Sequence, residues 1–327
     1  MAGKWEDNPV TDFKFGLVHA PMTPFSGGNV DYECYGKLLD FHLRNDAEGL
    51  AMPMHTGESV SLTVEERKIL VEFAIRHVGN RVPLIVNVSE AGTAIAMSLA
   101  AHAKQCGVSA IIASVPYYWT PPQPMLVEHF AAIGKAATLP FFVLNSPREM
   151  SNVEFTSNSV VDLLGRLPNF AGLIDVSLDW QYMVEIVTVA RAVRPDFQFV
   201  SGTEYMISAC AIGATGILSS LASISPRLVS ALYRSCRRES YKEAYSLQED
   251  AVILFQSLRD TGVSGLKAAA ACMFGRDCGN PRPPLPKLDA RTTQALVEKL
   301  GAVHRINAEP HGWSPTPTLW CHEDSAA

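Results

Sequence analysis

Eight short apolar runs, separated by segments with helical spacing, constrain the fold of this chain more than any other feature of its sequence. The runs recur at intervals of roughly 20 to 35 residues, which is typical of strand–helix units repeated around a parallel sheet. Since eight such units close a barrel, the pattern predicts an α/β fold of the TIM (β/α)8 type. The runs are 16–20, 49–53, 84–88, 110–114, 141–144, 172–175, 197–201 and 216–219.

The segments around these runs have the periodicity and end signals of helices. Thr63 and Glu66 form a predicted capping box at the start of a helix over 64–77. After the last run the sequence predicts only helices, and a barrel needs just one of them, so a C-terminal helical extension is expected. The predicted helices begin at Ser225-Pro226 and cover 241–258, 264–274 and 290–305. The expected domains are a barrel over 14–224, a helical region over 225–305 and a tail over 306–327.

Charge and composition exclude several classes of protein. The net charge of −6 and the isoelectric point near 5.9 argue against a nucleic acid or an anionic membrane as partner. The first residues lack a secretion signal and a spanning apolar run, so we expect a cytoplasmic protein with no membrane contact. Its seven cysteines are scattered without a CxxC pair, which disfavours disulfides and zinc.

Polar residues follow the predicted strands, where a barrel builds its active site. None of them is a lysine, because the chain's ten lysines fall before strands, in helices or in the C-terminal region. The candidates are His19, 55–59, Asn87, Ser89, Glu90, Tyr117, Tyr118, Asn145, Asp175, Ser177, Ser201, Thr203, Glu204, Ser219 and Ser220.

Several motifs in order along residues 14–300 resemble the dihydrodipicolinate synthase and N-acetylneuraminate lyase family. They are Ala-Pro-Met-Thr-Pro-Phe at 20–25, Thr-Gly-Glu-Ser at 56–59, Pro-Tyr-Tyr at 116–118 and Gly-Ala-Thr-Gly-Ile at 213–217. The resemblance implies a TIM barrel with a C-terminal helical extension, usually a homotetramer. It also implies aldol, retro-aldol or dehydration chemistry on 2-keto acids through a lysine Schiff base.

Part of the family's site is retained in this sequence. The loop over 54–59 matches the segment whose amides and hydroxyls hold the substrate carboxylate, so Thr56 and Gly57 are expected to bind a carboxylate. His55 stands where the family has a threonine of its proton relay. Tyr118 matches the relay tyrosine that reaches across the subunit contact. The resemblance therefore suggests His55 and Tyr118 as the catalytic pair.

The covalent part of the site is missing. Leu144 stands at the position of the family's catalytic tyrosine, and Ile174 stands at that of its Schiff-base lysine. An isoleucine cannot form an imine, and a leucine cannot relay a proton. Asp175 follows Ile174 and is interpreted as a buried structural acid or, less favoured, as a ligand contact.

The remaining expectations concern individual side chains. The substrate is expected to contact Thr56, Gly57, Asn145, Ile174, Ser201 and Ile217. Glu58 is interpreted as a cap of backbone amides in its own turn, and Tyr117 as a packing or interface aromatic. No metal and no cofactor are expected.

The sequence thus predicts a lyase of the aldolase or dehydratase type that acts on a small 2-keto or hydroxy carboxylate without a lysine Schiff base. The expected assembly is a homotetramer or homodimer. Two alternatives stay open. One is a metal-assisted lyase or hydrolase in which His55 joins Glu90, Glu204 or Asp175 around a cation. The other is a catalytically inactive family member that binds a small carboxylate.

Overall fold

Eight parallel strands form a closed barrel in the computed structural model, which describes residues 13–150, 152–275 and 277–310. Around the barrel the strands follow the order β1-β8-β7-β6-β5-β4-β3-β2. This arrangement confirms the predicted TIM (β/α)8 fold. The strands are β1 (Leu17–His19), β2 (Gly49–Met52), β3 (Leu84–Asn87), β4 (Ala110–Ser114), β5 (Phe141–Asn145), β6 (Phe170–Asp175), β7 (Gln198–Ser201) and β8 (Gly216–Ser219).

Helices follow the strands, and further helices follow the last strand, so the C-terminal helical extension is present as well. Thr63 and Glu66 form the predicted capping box at the start of α2. The helices are α1 (Tyr32–Arg44), α2 (Val64–Val78), α3 (Thr93–Gln105), α4 (Gln123–Ala137), α5 (Ser157–Arg166), α6 (Trp180–Val193), α7 (Met206–Ala211), α8 (Pro226–Arg237), α9 (Tyr241–Arg259), α10 (Gly262–Phe274) and α11 (Ala290–Gly301).

The chain divides into two compact units. The described part of the first unit comprises 13–16, Pro83–Thr203 and Ser208–Ile217. Its core contains a series of edge-on aromatic contacts, among them Phe170 with Phe197 at 5.6 Å between ring centroids and Phe130 with Phe155 at 5.1 Å. The first contact joins β6 to the residue before β7, and the second joins α4 to the segment before α5, so apolar rings fill the space between neighbouring elements.

The described part of the second unit comprises Leu17–Val82, Glu204–Ile207 and 218–310. It contains a small antiparallel hairpin, Phe25–Ser26 with Asn29–Val30, that the sequence pattern did not predict. Its C-terminal residues dock at α8, since the Glu309 carboxylate accepts hydrogen bonds from the backbone amides of Arg227 and Leu228. The expected tail thus begins inside the fold, and its residues 311–327 lie outside the described part.

No helix in the described part of the chain is long and apolar enough to cross a membrane. The described cysteines are all thiols rather than disulfides. The domain boundary expected after residue 224 stays a prediction.

Candidate active site

The loop after β2 is a tight turn that uses most of its own backbone amides. Gly57 and Ser59 donate to the carbonyl of Met54, and Glu58 donates to the carbonyl of His55. Among the bonds of the described residues, none uses the amides of His55 and Thr56. These two amides are therefore available to hold an anion.

Gly57 serves the geometry of this turn. A Cβ at Gly57 would lie 3.2 Å from the Pro21 carbonyl oxygen and 3.3 Å from the Met54 nitrogen, so a side chain would press on the backbone. Its carbonyl accepts a hydrogen bond from the Thr23 hydroxyl at 2.7 Å. Since both polar groups of Gly57 are engaged within the protein, its expected contact with substrate stays a prediction.

His55 and Thr56 occupy different environments in the loop. Thr56 is buried, and its hydroxyl donates to the Ala20 carbonyl at 3.3 Å. The His55 side chain is exposed. His55 is therefore the titratable side chain through which this loop meets solvent.

Glu58 is held by partners far away in the sequence, and the expectation that it caps amides of its own turn is wrong. It adopts a left-handed backbone conformation with φ of 55°. Its carboxylate accepts the backbone N–H of Arg282 at 2.8 Å and lies 2.5 Å from the Lys267 ammonium. Both carboxylate oxygens are thus bonded outside the turn, one to the Arg282 amide and one to a buried cation.

Lys267 is the main feature of this region that the sequence analysis missed. It lies on α10 with 3% of its side chain exposed, 4.2 Å above the ring of Phe25. Burial lowers the pKa of Lys267, and the Glu58 carboxylate opposes that shift. The available signal was a single charge in the apolar stretch of α10, which indicates a buried partner.

Glu204 follows β7 and is fully buried within the second unit. Its Oε1 accepts hydrogen bonds from the Ser219 hydroxyl at 2.7 Å and from the Leu221 amide at 3.0 Å. Burial raises the pKa of Glu204, and these hydrogen bonds oppose the rise. Ser219 also bonds through its carbonyl to the amide of Ala20. Glu204 thus fixes the end of β8 and the turn that follows it.

Asp175 lies at the end of β6 in a buried network of the first unit. It accepts hydrogen bonds from the Asn145 amide and the Ser177 hydroxyl, both at 2.8 Å. The Asn145 amide oxygen accepts the Phe155 N–H at 3.0 Å. Burial raises the pKa of Asp175, and the bonds from Asn145 and Ser177 lower it. These bonds favour structural roles for Asp175 and Asn145, and the substrate contact of Asn145 stays a prediction.

Ile174 and its neighbours form an apolar part of the strands. Its strand partners are Leu144 in β5 and Val200 in β7, and its side chain is fully buried. Ser201 is also buried and donates to the Thr203 carbonyl at 2.8 Å. Ile217 lies buried in β8. The expected substrate contacts of Ile174, Ser201 and Ile217 stay predictions.

Tyr117 and Tyr118, in the loop after β4, differ in their surroundings. The Tyr118 side chain is 88% exposed. The Tyr117 hydroxyl donates to Glu90 Oε2 at 3.2 Å, a polar role that the packing interpretation did not include. The Tyr118 side chain is therefore accessible to another molecule. The Tyr117 side chain is oriented by its hydrogen bond to Glu90.

Comparison with known proteins places these features in a family. A model of the dihydrodipicolinate synthetase family matches residues 14–303. This chain belongs to that family. The match covers the barrel strands and extends to α11, so both the fold and the order of the motifs are those of the family.

Similar proteins include two 4-hydroxy-tetrahydrodipicolinate synthases, which are aldolase-type lyases. The protein from Bartonella bacilliformis is 31% identical over 88% of this chain and 98% of its own length. That from Aquifex aeolicus is 30% identical over 87% of this chain and 96% of its own length.

Solved structures support the same relationship. The crystal structure of dihydrodipicolinate synthase from Aquifex aeolicus is 29% identical in sequence and matches with a TM-score of 0.83. The match covers 89% of this chain and 98% of the Aquifex aeolicus chain. A structure described as the first monomeric dihydrodipicolinate synthase variant has a TM-score of 0.82, with coverage of 92% and 99%. At 24% identity that second match concerns the fold alone.

Proposed function

We propose that this protein is a lyase that acts on a small 2-keto or hydroxy carboxylate without a lysine Schiff base. The observation that carries the proposal is the pairing of Leu144 with Ile174 on adjacent strands. These are the two positions where the family resemblance expects a tyrosine and an imine-forming lysine. No lysine occurs in any of the eight barrel strands.

The substrate carboxylate is assigned to the loop after β2. The backbone amides of His55 and Thr56 take no part in the hydrogen bonds inside the turn, so they are available as donors to an anion. The bonds that anchor Thr56 and Gly57 fix the direction of these donors before a ligand arrives. A fixed pair of donors binds an anion without the cost of ordering the loop.

Proton transfer is assigned to His55 and Tyr118. In a retro-aldol step, His55 removes the proton from the substrate hydroxyl, the carbon–carbon bond breaks, and its electron pair passes to the keto group as an enolate. A phenolic proton from Tyr118 then passes to the enolate carbon, and the cycle closes when His55 releases its proton to solvent and the phenolate takes one up from solvent. Because Tyr118 projects from its own chain, this step requires a neighbouring subunit that brings the hydroxyl to the site.

A panel of small carboxylates tests this proposal by thermal shift and by turnover, with and without a chelator. We expect at least one 2-keto or hydroxy acid to stabilise the protein and to be converted. His55→Asn should keep the binding and reduce turnover by about 100-fold or more, the usual contribution of a general acid or base. The exposed His304 supplies a matched control, His304→Asn, which should retain both.

Three results would count against the proposal. Unchanged turnover in His55→Asn would remove this residue from the mechanism. Loss of binding on addition of the chelator would indicate a metal-assisted enzyme. Binding of an acid with no turnover of any acid in the panel would indicate an inactive family member.

A further inference from the structure

The loop after β2 closes through a left-handed residue, Glu58. The Ser59 N–H donates to the Met54 carbonyl at 3.3 Å, and the Glu58 N–H donates to the His55 carbonyl at 2.9 Å. This pair of bonds is the pattern that commonly ends a helical turn, and its left-handed position is usually a glycine and sometimes an asparagine. Here that position is a glutamate with φ of 55°. The loop therefore carries a long side chain where its backbone favours glycine.

A side chain makes this backbone conformation unfavourable. The left-handed region is disfavoured about tenfold for an ordinary residue, because the Cβ comes too close to the following carbonyl oxygen. Short polar side chains reduce this cost through local hydrogen bonds. The Glu58 carboxylate makes its bonds far from its own turn, so other contacts must hold the residue in place.

The contacts that hold Glu58 come from the C-terminal helical extension of the same unit. Its Oε1 lies 2.5 Å from the Lys267 ammonium on α10. Its Oε2 accepts the backbone N–H of Arg282 at 2.8 Å. The side chains of Glu58 and Lys267 are both buried, so solvent ions do not screen their attraction. The two contacts fix the direction in which the Glu58 side chain leaves the backbone.

The segment that carries the Arg282 N–H is itself anchored. The Arg282 guanidinium donates to both carboxylate oxygens of Glu66 at 2.7 Å. It also donates to the carbonyl of Ser61 at 3.1 Å and to that of Gly28 at 2.7 Å. Glu58 is thus bonded to a part of the extension that is held by several further bonds.

We propose that Glu58 is a positioning residue for the substrate carboxylate. Lys267 and Arg282 hold Glu58 in its left-handed conformation. This conformation in turn keeps the backbone amides of His55 and Thr56 arranged to bind the carboxylate. The inference rests on the proposed function, since it assumes that the loop after β2 holds the substrate carboxylate.

Release of Glu58 from these contacts should weaken binding by a predictable factor. The apparent dissociation constant rises by the inverse of the fraction of molecules whose loop stays competent to bind. A residue with a Cβ returns to the right-handed region in most molecules, which gives about tenfold weaker binding. Glycine populates both regions about equally, so it should weaken binding only about twofold.

Two double variants separate this positioning role from a role in packing. Glu58→Ala and Glu58→Gly, each combined with Lys267→Met, remove the buried ion pair without leaving a lone charge. They differ from each other only in the Cβ of residue 58. In calorimetric titrations with pyruvate, the simplest 2-keto acid, we expect the Glu58→Ala protein to bind about tenfold more weakly than the wild type. The Glu58→Gly protein should stay within about threefold of the wild type.

A role in packing alone predicts a different order for these two proteins. Glycine fills less space than alanine, so the Glu58→Gly protein would then bind no better than the Glu58→Ala protein. Glu66→Gln is the matched control, because it weakens another ion pair of the extension that does not touch residues 54–59. It should keep the wild-type affinity for pyruvate.

The positioning role is overturned if the two double variants bind pyruvate equally, or if Glu66→Gln weakens binding as much as Glu58→Ala does. Wild-type affinity in the Glu58→Ala double variant refutes it as well, and leaves the proposed function intact. Failure of the wild type to bind pyruvate overturns this inference. Failure of the wild type to bind any small carboxylate of the panel overturns the proposed function too.

Discussion

Glu58 and Lys267 show how a single buried pair supports the candidate carboxylate loop. Both side chains are removed from water, and their charges lie 2.5 Å apart. Two buried ions cost a large desolvation free energy, which the close contact and the added bond from the Arg282 amide offset. The buried Glu58–Lys267 pair thus anchors the loop to α10. The His55 side chain of the same loop is exposed to solvent.

Removal of the buried lysine should therefore destabilise the protein strongly. We expect Lys267→Met to lower the free energy of unfolding by about 3–5 kcal/mol, because it leaves the Glu58 carboxylate buried without a cation. The double variant Glu58→Gln with Lys267→Met should recover part of that loss. Urea unfolding measures both effects.

The exposed pair Arg238–Glu243 provides the control for this prediction. Arg238→Met removes an ion pair at 3.4 Å whose side chains are both more than half exposed. It should cost less than about 1 kcal/mol. If Lys267→Met costs no more than Arg238→Met, the buried pair does not stabilise the loop.

His19 and His42 form a second buried pair in the same unit. Their Nδ1 atoms lie 3.2 Å apart, so one neutral ring donates a hydrogen to the other. Burial lowers the pKa of His19 to about 4, although the charge of Asp46 opposes the shift. Burial also lowers the pKa of His42, and the neighbouring His19 lowers it further.

These shifts predict a loss of stability in mild acid. The folded pKa lies below the unfolded value, so between about pH 6.5 and pH 4 the unfolded chain binds more protons. The stabilisation is complete above pH 6.5 and decreases as the pH falls. Between pH 7 and pH 5 we expect His19 alone to lower the free energy of unfolding by about 2 kcal/mol.

Unfolding by urea at each pH checks this prediction. The double variant His19→Gln with His42→Gln should lose less stability between pH 7 and pH 5 than the wild type. His304→Gln, a substitution at an exposed position, should keep the wild-type dependence. An unaltered pH dependence in the double variant would show that the buried pair does not cause the loss.

At the scale of elements, the ends of β5 and β6 are joined by the Asn145–Asp175 hydrogen bond. The same carboxylate accepts from Ser177, whose hydroxyl accepts the N–H of Asp179. Asp179 caps the start of α6 by accepting the Tyr182 N–H. One acid therefore connects two strand ends to the beginning of a helix.

Asp175→Asn should lower the melting temperature and leave the binding of a small carboxylate unchanged. The new amide would place a donor opposite the Asn145 donor, or turn and lose the bond from Ser177. A buried unsatisfied polar group costs about 1–3 kcal/mol. Asp162→Asn, in an exposed ion pair with Arg166, should cost less than about 1 kcal/mol in the same thermal melt. Equal costs for the two variants would exclude a structural role for Asp175.

The elements also show what the sequence can predict and what it cannot. Helix α2 begins at the predicted residue Val64 and has the predicted capping box, because both depend on residues within a few positions. The hairpin at Phe25–Val30 was missed, since strands of two residues have no measurable period. Strand β6 begins at Phe170, two residues earlier than the predicted start at Gly172.

The candidate site likewise has features that the sequence predicts and features that it does not. The sequence predicted which residues follow the strands, because a parallel barrel places all of those positions at one end. It could not predict that Glu58 pairs with Lys267 across more than 200 positions. It also gave no signal that the Tyr117 hydroxyl bonds to Glu90. Such partners depend on tertiary packing, which a single sequence does not encode locally.

At the scale of the whole molecule, the proposed mechanism requires a second copy of the chain. Tyr118 is 88% exposed and the adjacent Trp119 is 46% exposed, an unusual amount of exposed aromatic surface. We expect a dimer or tetramer by light scattering at micromolar concentration, with Tyr118 in the contact. A monomer under these conditions would contradict the role of Tyr118.

The central claim is that no lysine forms an imine with the substrate. The claim holds even if the alignment of Ile174 with the family's Schiff-base lysine is shifted by several positions, because residues 136–241 contain no lysine. The most direct test is reduction with borohydride in the presence of pyruvate, followed by intact mass and peptide mapping. We predict that no adduct is trapped. A stoichiometric mass increase on a single lysine would contradict the account.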